Sequence, residues 1–159
     1  MIRKMIELDT KDWAILAILQ DDASLSVQAI ADRVGLSPNP CWRRIRQMED
    51  AGVIARRVAL VDPVAVGFRT TVFVAIRTSR HDAEWLAAFH EAIAGIDEIS
   101  ECHRMAGDID YMLKLRVRDI ADYDRIYQRL IRRVPGLADV TASFSMEELK
   151  STTALPRPA

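Results

Sequence analysis

Arginine and amide side chains are concentrated on one short segment, residues 37–51 (SPNPCWRRIRQMEDA). A helical wheel at about 100° per residue places Cys41, Ile45 and Met48 on one side of this segment. The opposite side holds polar residues: Asn39, Arg43, Arg46 and Asp50, flanked by Trp42 and Gln47. Because a guanidinium can pair with guanine through two hydrogen bonds, and a side-chain amide with adenine, this face could recognise bases in the DNA major groove.

The candidates for base contacts lie in the first turns of this helix, where recognition helices usually touch DNA: Asn39, Trp42, Arg43 and Arg46. Ser37 and Gln47 border the same surface and complete the candidate set on the helix. Arg56 and Arg57 follow on a predicted wing, where contacts to phosphates are expected. Arg44 lies at the edge of the buried stripe, where a structural or phosphate-binding role is expected.

Charge is uneven along a chain whose net charge is only −1. Residues 37–60 have five arginines against two acidic residues, a balance of +3, whereas residues 1–36 have a balance of −2. A polyanion would therefore be attracted to this segment and not to the chain as a whole. Two alternatives stay open, because a basic helix face can simply be solvated, and Trp42 can pack against a neighbouring helix instead of stacking on DNA.

The residues before this helix predict the other parts of a helix-turn-helix. A first helix begins at residues 9–10, which are both good N-caps. A second helix begins at Ser26, since the apolar residues of 27–34 have the spacing of an amphipathic helix. Gly35 suits a left-handed C-cap, and Ser37 then caps the third helix with Pro38 in its first position.

The rest of the chain alternates strands and helices. Residues 53–62 predict a strand or short wing, and Gly67 marks a domain boundary. The later elements are a strand over 70–78, a helix over 83–94, strands over 98–105 and 111–117, a helix capped by Asp119 and a strand over 140–149. This βαββαβ order is typical of the ferredoxin-like layout, in which both helices cover one face of an antiparallel sheet.

The other face of that sheet would be left uncovered. The first strand contains the run VFVAI, residues 72–76, which is apolar on both faces. Apolar strand faces of this kind are normally covered. We therefore expect the uncovered face to pair with a second copy of the chain, forming a homodimer.

The turn Gly107-Asp108-Ile109-Asp110 is the best candidate for binding a small molecule. Glycine lets the backbone approach a ligand, free N–H groups can hold a carboxylate, and an aspartate can hold an ammonium. An ordinary aspartate-rich hairpin turn is an equally good interpretation. On the last strand Thr141, Ser143 and Ser145 share one face, which could line a cleft at an interface or face water.

Other function classes find little support in the sequence. Cys41 falls on the buried stripe, and Cys102 and His103 are adjacent on a strand and so point to opposite faces, which argues against a metal centre. No catalytic set of nucleophile, base and acid is recognisable, so we predict no enzyme activity. The two cysteines favour a reducing compartment, and no signal peptide or membrane-spanning run is evident, which predicts a cytoplasmic protein.

Several segments resemble the Lrp/AsnC family, the feast/famine transcriptional regulators. They are LDTKDWAILAILQDD, GLSPNPCWRRIRQMEDAGVI, VDPVAVG, ECHRMAGDIDYMLKLRV, VPGL and MEELKSTTALP, in the family's order and spacing. The resemblance covers nearly the whole chain. It implies a winged helix-turn-helix joined to a βαββαβ effector domain, with dimers that assemble into octamers or similar rings and bind amino acids between dimers.

Carried over to this chain, the resemblance places the base-reading helix at 37–51 and the effector loop at 106–110. The candidate effector-binding residues are Ala106, Gly107, Asp108, Asp110, Thr141 and Ser143. The segments NPCWRRIRQMEDAGVI, VALVDP, DAEW and STTALP are closer to one subgroup, the regulators of cysteine detoxification, which suggests cysteine as the effector. Where many relatives have threonines on the last strand, this chain has Val140 and Ala142.

Together these features predict an α+β protein: a winged helix-turn-helix domain over 1–62, a linker over 63–69, a ferredoxin-like domain for effector binding and oligomerisation over 70–150, and a tail over 151–159. The predicted function is sequence-specific binding of a double-stranded DNA operator by a dimer or octamer, modulated by an amino acid and without a cofactor. The alternative is a ligand-binding or metal-sensing module without operator specificity. A dimeric ferredoxin-like enzyme is a third possibility, with weaker support.

Overall fold

A computed structural model describes residues 6–158 of the chain. These residues divide into two compact units, one formed by residues 6–59 together with 150–158, and the other by residues 60–149. The C-terminal tail thus belongs with the helix-turn-helix. There the side-chain amide of Gln20 accepts a hydrogen bond from the Leu155 N–H at 2.7 Å and donates one to the Leu155 carbonyl at 3.3 Å.

The first unit contains three helices: α1 (Thr10–Asp21), α2 (Val27–Val34) and α3 (Pro38–Asp50). Their apolar faces form one core, whose buried members are Ile15, Leu16, Ile30, Ala31, Val34, Cys41, Ile45 and Met48. Asp9 begins α1 with a capping box, because its carboxylate accepts the Asp12 N–H while the Asp12 carboxylate accepts the Asp9 N–H. These bonds satisfy two amides that a helix end leaves unpaired.

The turn between α2 and α3 has the predicted conformation at Gly35, with φ of 66° in the left-handed region. Ser37 is the N-cap residue of α3, but its side chain makes no capping hydrogen bond. A capping hydroxyl normally accepts from the second or third N–H of the helix, and the third residue here is Pro40, which has none. The Ser37 hydroxyl is therefore left exposed at the start of α3.

The strand predicted within residues 53–62 is absent, since residues 55–62 have no regular secondary structure. A strand needs a neighbour to accept its hydrogen bonds, and the apolar side chains of this segment stay exposed: Val58, Leu60 and Val61. Of the predicted strand or short wing, the strand is thus wrong, and the wing stays a prediction.

The second unit has the predicted βαββαβ order: β1 (Thr70–Thr78), α4 (Ala83–Ala94), β2 (Ile99–Arg104), β3 (Tyr111–Val117), α5 (Ile120–Arg133) and β4 (Leu137–Phe144). The strands form one sheet in the order β2-β3-β1-β4, with each neighbouring pair antiparallel. The side chains of Trp85 and Phe89 from α4, and of Ile126 and Leu130 from α5, are buried in one cluster against the sheet. Both helices therefore cover the same face.

The last strand differs from its prediction at both ends. It begins at Leu137, three residues early, because Gly136 turns the chain at φ of 78° and Leu137 already pairs with Thr78. It ends at Phe144, opposite Val72, and not at residue 149. The length of β4 is thus set by where β1 offers hydrogen-bonding partners.

The uncovered face of the sheet, named here the open face, consists of the side chains that alternate with the buried ones. In β1 the residues Val72, Val74 and Ile76 are buried, whereas Phe73 is 40% exposed. Neighbours on the same face are mostly polar or partly exposed: Met112 and Lys114 of β3, Glu101 and His103 of β2, and Thr141 and Ser143 of β4. The open face is thus less apolar than the run VFVAI alone indicates.

Candidate nucleic-acid interface and ligand cleft

Helix α3 is fixed to the body of its unit by one apolar seam and presents a polar face to solvent. Cys41, Ile45 and Met48 are almost fully buried, as the helical wheel predicted. The predicted contact residues on the other side of the helix are all exposed: Asn39, Trp42, Arg43, Arg46 and Gln47. Cys41 and Ile45 are four residues apart, and Ile45 and Met48 are three apart. Burial of these three residues fixes the rotation of the helix about its axis and so orients the polar face outward.

Trp42 has no packing role that would explain it. Its side chain is 54% exposed and is not a member of the core cluster of its unit. An exposed indole is a suitable surface for stacking on a base or a sugar, and it is costly in water. The packing alternative for Trp42 is therefore not supported, and the contact to nucleic acid stays a prediction.

Arg46 and Arg57, two of the predicted contact residues, bind the same carboxylate, a contact that the helical wheel does not predict. Glu49 accepts hydrogen bonds from Arg46 at 3.1 Å and from Arg57 at 3.0 Å. Both guanidiniums nevertheless remain about half exposed. Across residues 6–158, Arg43 and Arg56 form no ion pair. Of these four guanidiniums, those of Arg43 and Arg56 are thus free of ion pairs with the described residues, whereas those of Arg46 and Arg57 are bound by Glu49.

Arg44 has the structural role that its position on the wheel indicated. Its guanidinium contacts the carboxylates of Asp9 at 2.7 Å and Asp12 at 2.8 Å, and so joins α3 to the start of α1. The hydrogen bond that Arg44 donates to Asp12 raises the pKa of Arg44, and the bond that it donates to Asp9 adds to this effect. The Asp12 N–H and then Arg44 hold the pKa of Asp9 below its usual value. Arg44 is consequently turned away from the exposed face of α3.

Three of the predicted effector residues line one cleft in the second unit, named here the effector cleft. It has a volume of about 560 Å³ and is lined by Gly107, Asp108 and Asp110 together with Arg77, Thr78, Ser79, His81, Ala138 and Asp139. A volume of this size suits a small ligand. The other three predicted residues, Ala106, Thr141 and Ser143, are exposed but do not line the effector cleft.

Gly107 and Asp110 give this cleft its shape. Gly107 has φ of 139°, which disfavours other residues, and the space beside its Cα is open. The Asp110 carboxylate accepts the Thr78 N–H at 2.8 Å, and the Asp110 N–H donates to the Ile76 carbonyl at 2.9 Å. Asp110 therefore ties the turn to β1, whereas the Asp108 carboxylate makes no hydrogen bond or ion pair within residues 6–158.

Sequence reasoning missed two charged residues of the effector cleft, Arg77 and Asp139. They are directly opposite each other in the pairing of β1 with β4. The signal for Asp139 was present, since it alternates with Thr141 and Ser143 on one face of β4, and Thr141 donates a hydrogen bond to it at 3.1 Å. It was missed because the start of β4 was placed at residue 140.

Val140 and Ala142, which stand where many relatives have threonines, lie on the other face of β4. Both side chains are partly buried and pack against the core beneath the helices. They do not line the effector cleft. Their apolar character is accounted for by this packing, and the residues of β4 that could meet a ligand are on the opposite face.

A second cavity of about 540 Å³ lies in the same unit, between the segment 61–68 and the ends of β3 and α5. Its guanidiniums are already neutralised: Arg116 pairs with Glu148, Arg118 with Asp122, and Arg125 with Asp122 and Glu98. Arg118 lowers the pKa of the buried Asp122 carboxyl to about 2. This network stabilises the unit and leaves no guanidinium of the cavity unpaired for a ligand.

The cysteines and histidines do not come together. Cys41 is buried in the α3 seam, where desolvation raises its pKa. Cys102 pairs with Leu113 and His103 with Met112, so the two side chains point to opposite faces, as predicted. Among residues 6–158, no three His, Cys, Asp or Glu side chains are grouped so that they could hold a metal ion. No helix in that part of the chain is long and apolar enough to cross a membrane.

An exposed basic recognition helix on a three-helix unit, followed by a ferredoxin-like unit with a ligand-sized cleft, defines a class of protein: DNA-binding transcriptional regulators that sense a small molecule. Residues 8–55 match the winged helix-turn-helix DNA-binding family, and residues 71–155 match the Lrp/AsnC ligand-binding domain. The chain belongs to the Lrp/AsnC family of transcriptional regulators. It is a regulator and not an enzyme.

Individual relatives agree with this assignment over nearly their whole length. The glutamate uptake regulatory protein of Zymomonas mobilis is 49% identical over 158 residues, covering 99% of this chain and 94% of the relative. The DNA-binding transcriptional activator DecR of Escherichia coli is 45% identical over 149 residues, covering 94% and 98%. A transcriptional regulator of Neisseria meningitidis, solved as a complex with L-Met, is 31% identical with a TM-score of 0.89, covering 94% and 97%.

Proposed function

We propose that this regulator binds a specific operator by placing the exposed face of α3 in the major groove. The single observation that supports this most is the division of α3 into a buried Cys41-Ile45-Met48 seam and an exposed face with free polar groups. Asn39, Trp42 and Arg43 of that face lie in the first turns of the helix, the part that usually contacts bases. Ser37 and Gln47 border the same surface, and Arg46 becomes available once it leaves Glu49.

Arg56 and Arg57 contact phosphates in this proposal. They lie after α3 on an exposed segment without regular structure, so they can follow the sugar-phosphate backbone. Phosphate contacts bind every sequence alike and depend strongly on salt, whereas base contacts distinguish sequences. The two sets of arginines are therefore expected to give different results when each is removed.

The experiment selects operator DNA from a random pool and then compares Arg43→Ala and Arg57→Ala in binding titrations at two salt concentrations. Arg43→Ala should lower the preference for operator over random DNA by about 1–3 kcal/mol. Arg57→Ala should weaken binding to both DNAs and reduce the salt slope by about 1. Arg132→Ala is the matched control, because Arg132 is an exposed arginine of α5 that forms no ion pair with any described residue. Equal effects of Arg43→Ala and Arg132→Ala would contradict the proposal.

We also propose that an amino acid binds in the effector cleft, and that it shifts DNA affinity by binding one assembly of the protein better than another. Gly107 and Asp108 line the cleft with exposed backbone and a carboxylate, so the cleft offers polar groups to an amino acid. Cysteine is the first candidate because of the subgroup resemblance, and methionine the second because a relative was solved with it. Calorimetric titration with both, followed by DNA titration with each present, tests this.

Dimers are proposed to form through the open face, with Phe73 at its centre, and dimers to assemble further into rings such as octamers. Phe73 is exposed between its direct cross-strand partners Lys114 and Ser143, and the same surface of a second copy would cover it. A two-fold dimer would have two α3 helices, one for each half-site of a palindromic operator. Sedimentation equilibrium over a range of concentrations measures the assembly size.

A further inference from the structure

We propose that Arg77 and Asp139 hold the two charged ends of the effector, and that the charge of the cleft around them excludes acidic amino acids. The proposal rests on the proposed binding of an amino acid in this cleft and adds the residues that select it. Neither residue belongs to the loop at 106–110 that the family resemblance indicated.

The argument begins with an ion pair that is expected but absent. Arg77 of β1 and Asp139 of β4 are direct cross-strand partners, and side chains opposite each other share one face of the sheet. Opposite charges at such positions normally pair. Within residues 6–158, however, Arg77 makes no ion pair, and Asp139 accepts only the hydroxyl of Thr141. Both side chains are exposed and both line the effector cleft.

A zwitterion is the ligand that satisfies both groups. An α-carboxylate could pair with the planar guanidinium of Arg77 through two hydrogen bonds. An α-ammonium could then donate to the Asp139 carboxylate, which keeps one oxygen free of the Thr141 bond. The α-carbon between the two ends would lie against the turn, where Gly107 leaves open space.

The remaining charges of the cleft determine which side chains the ligand can have. The lining residues include one cation, Arg77, against the carboxylates of Asp108, Asp110 and Asp139. The balance of these arginine and aspartate side chains is −2 before a ligand binds, and a zwitterion leaves it unchanged. A further carboxylate on the ligand would be repelled, whereas an uncharged or cationic side chain would not. The effector is therefore an amino acid with a neutral or basic side chain.

The test is a calorimetric titration of the full-length protein with L-methionine, N-acetyl-L-methionine, L-methioninamide, L-lysine and L-glutamate at constant ionic strength. Wild-type protein should bind methionine and lysine at least about tenfold more tightly than it binds glutamate, N-acetylmethionine or methioninamide. Asp139→Asn should lose the preference for methionine over its N-acetyl form, because the ammonium contact is gone. Arg77→Gln should lose the preference for methionine over its amide instead.

Two further variants control for folding and for charge. Asp139→Glu retains the carboxylate and should retain the preference over the N-acetyl form. Asp124→Asn removes an equal charge from an exposed position on α5 and should change nothing. If wild type binds methionine but Arg77→Gln and Asp139→Asn keep all its preferences, or if glutamate binds as tightly as methionine, this inference is wrong and the proposed effector function stands. If no amino acid binds wild type at about 10 mM, both fail.

Discussion

Glu49 restrains two of the four guanidiniums that are proposed to contact DNA, so its removal should strengthen DNA binding. Its carboxylate pairs with Arg46 and Arg57 at 3.1 and 3.0 Å and lies close to the proposed path of the phosphates. Glu49→Gln keeps the size of the side chain and removes the charge. Both guanidiniums then become free, and the repulsion between one carboxylate and the DNA backbone disappears.

The size of the effect follows from the exposure of these pairs. Exposed ion pairs contribute about 0.2–1 kcal/mol each, so releasing the two lowers the cost of binding by about 1 kcal/mol, or about fivefold in affinity at low salt. One additional effective positive charge steepens the slope of log affinity against log salt by about 0.9. Between about 50 and 200 mM salt this slope removes about 3.5-fold of the gain. Near 200 mM the variant should therefore bind only about 1.5-fold more tightly than wild type.

Fluorescence anisotropy on a selected operator and on random DNA, at three salt concentrations, measures both quantities. Most of the gain should appear on both DNAs, because phosphate contacts do not depend on sequence. The base contact proposed for Arg46 would add a smaller gain on the operator alone. Asp21→Asn removes the same charge from the exposed end of α1 and is the control. Parallel salt dependences for wild type and Glu49→Gln, or an equal gain in Asp21→Asn, would refute the placement of Glu49 beside the DNA.

Three other predictions concern stability and assembly. Arg44→Ala should destabilise the helix-turn-helix by about 1–3 kcal/mol in urea unfolding, because Asp12 loses its partner while nearly buried, yet leave operator preference unchanged. Asp122→Asn should lower the free energy of unfolding by about 2 kcal/mol at neutral pH, because the pKa of Asp122 in the folded protein is lowered to about 2. This contribution is complete above about pH 4 and is lost as the pH falls through about 2. The stabilities of wild type and variant should therefore converge in acid unfolding. Phe73→Asp should dissociate dimers in sedimentation equilibrium while circular dichroism stays unchanged, because one charge would be buried at the centre of the interface; a persistent dimer would place the interface elsewhere.

Element boundaries that depend on local chemistry could be predicted from the sequence. The starts of α1 and α2 follow from Asp9 and Ser26, whose side chains bond to amides three residues later. The limits of β4 could not be predicted in this way, because Thr78 and Val72 of a distant strand determine where it pairs. The strand expected within 53–62 fails for the same reason, since no partner is offered to it among the described residues of its chain.

The candidate sites show the same division between local and distant information. A helical period of about 3.6 residues was enough to separate Arg43, which is exposed, from Arg44, which is bound to α1. It could not show that Glu49 holds Arg46, because that contact depends on the rotamers of two long side chains. The pairing of Arg77 with Asp139 was likewise out of reach, since it follows from a register between strands that are separated by two helices and two other strands.

The acidic residues at the end of α3 have a consequence for specificity. Glu49 and Asp50 lie in its last turn, so negative charge follows the basic residues of the first three turns. DNA phosphates are repelled there, which limits the proposed contact to the part of α3 that can reach base edges. A regulator must bind its operator more tightly than the large excess of other DNA, and non-specific affinity is almost entirely electrostatic. Acidic residues beside the contact surface reduce the affinity for operator and for other DNA alike, because phosphate repulsion does not depend on sequence. The preference for the operator is therefore left to the base contacts in the first turns of α3.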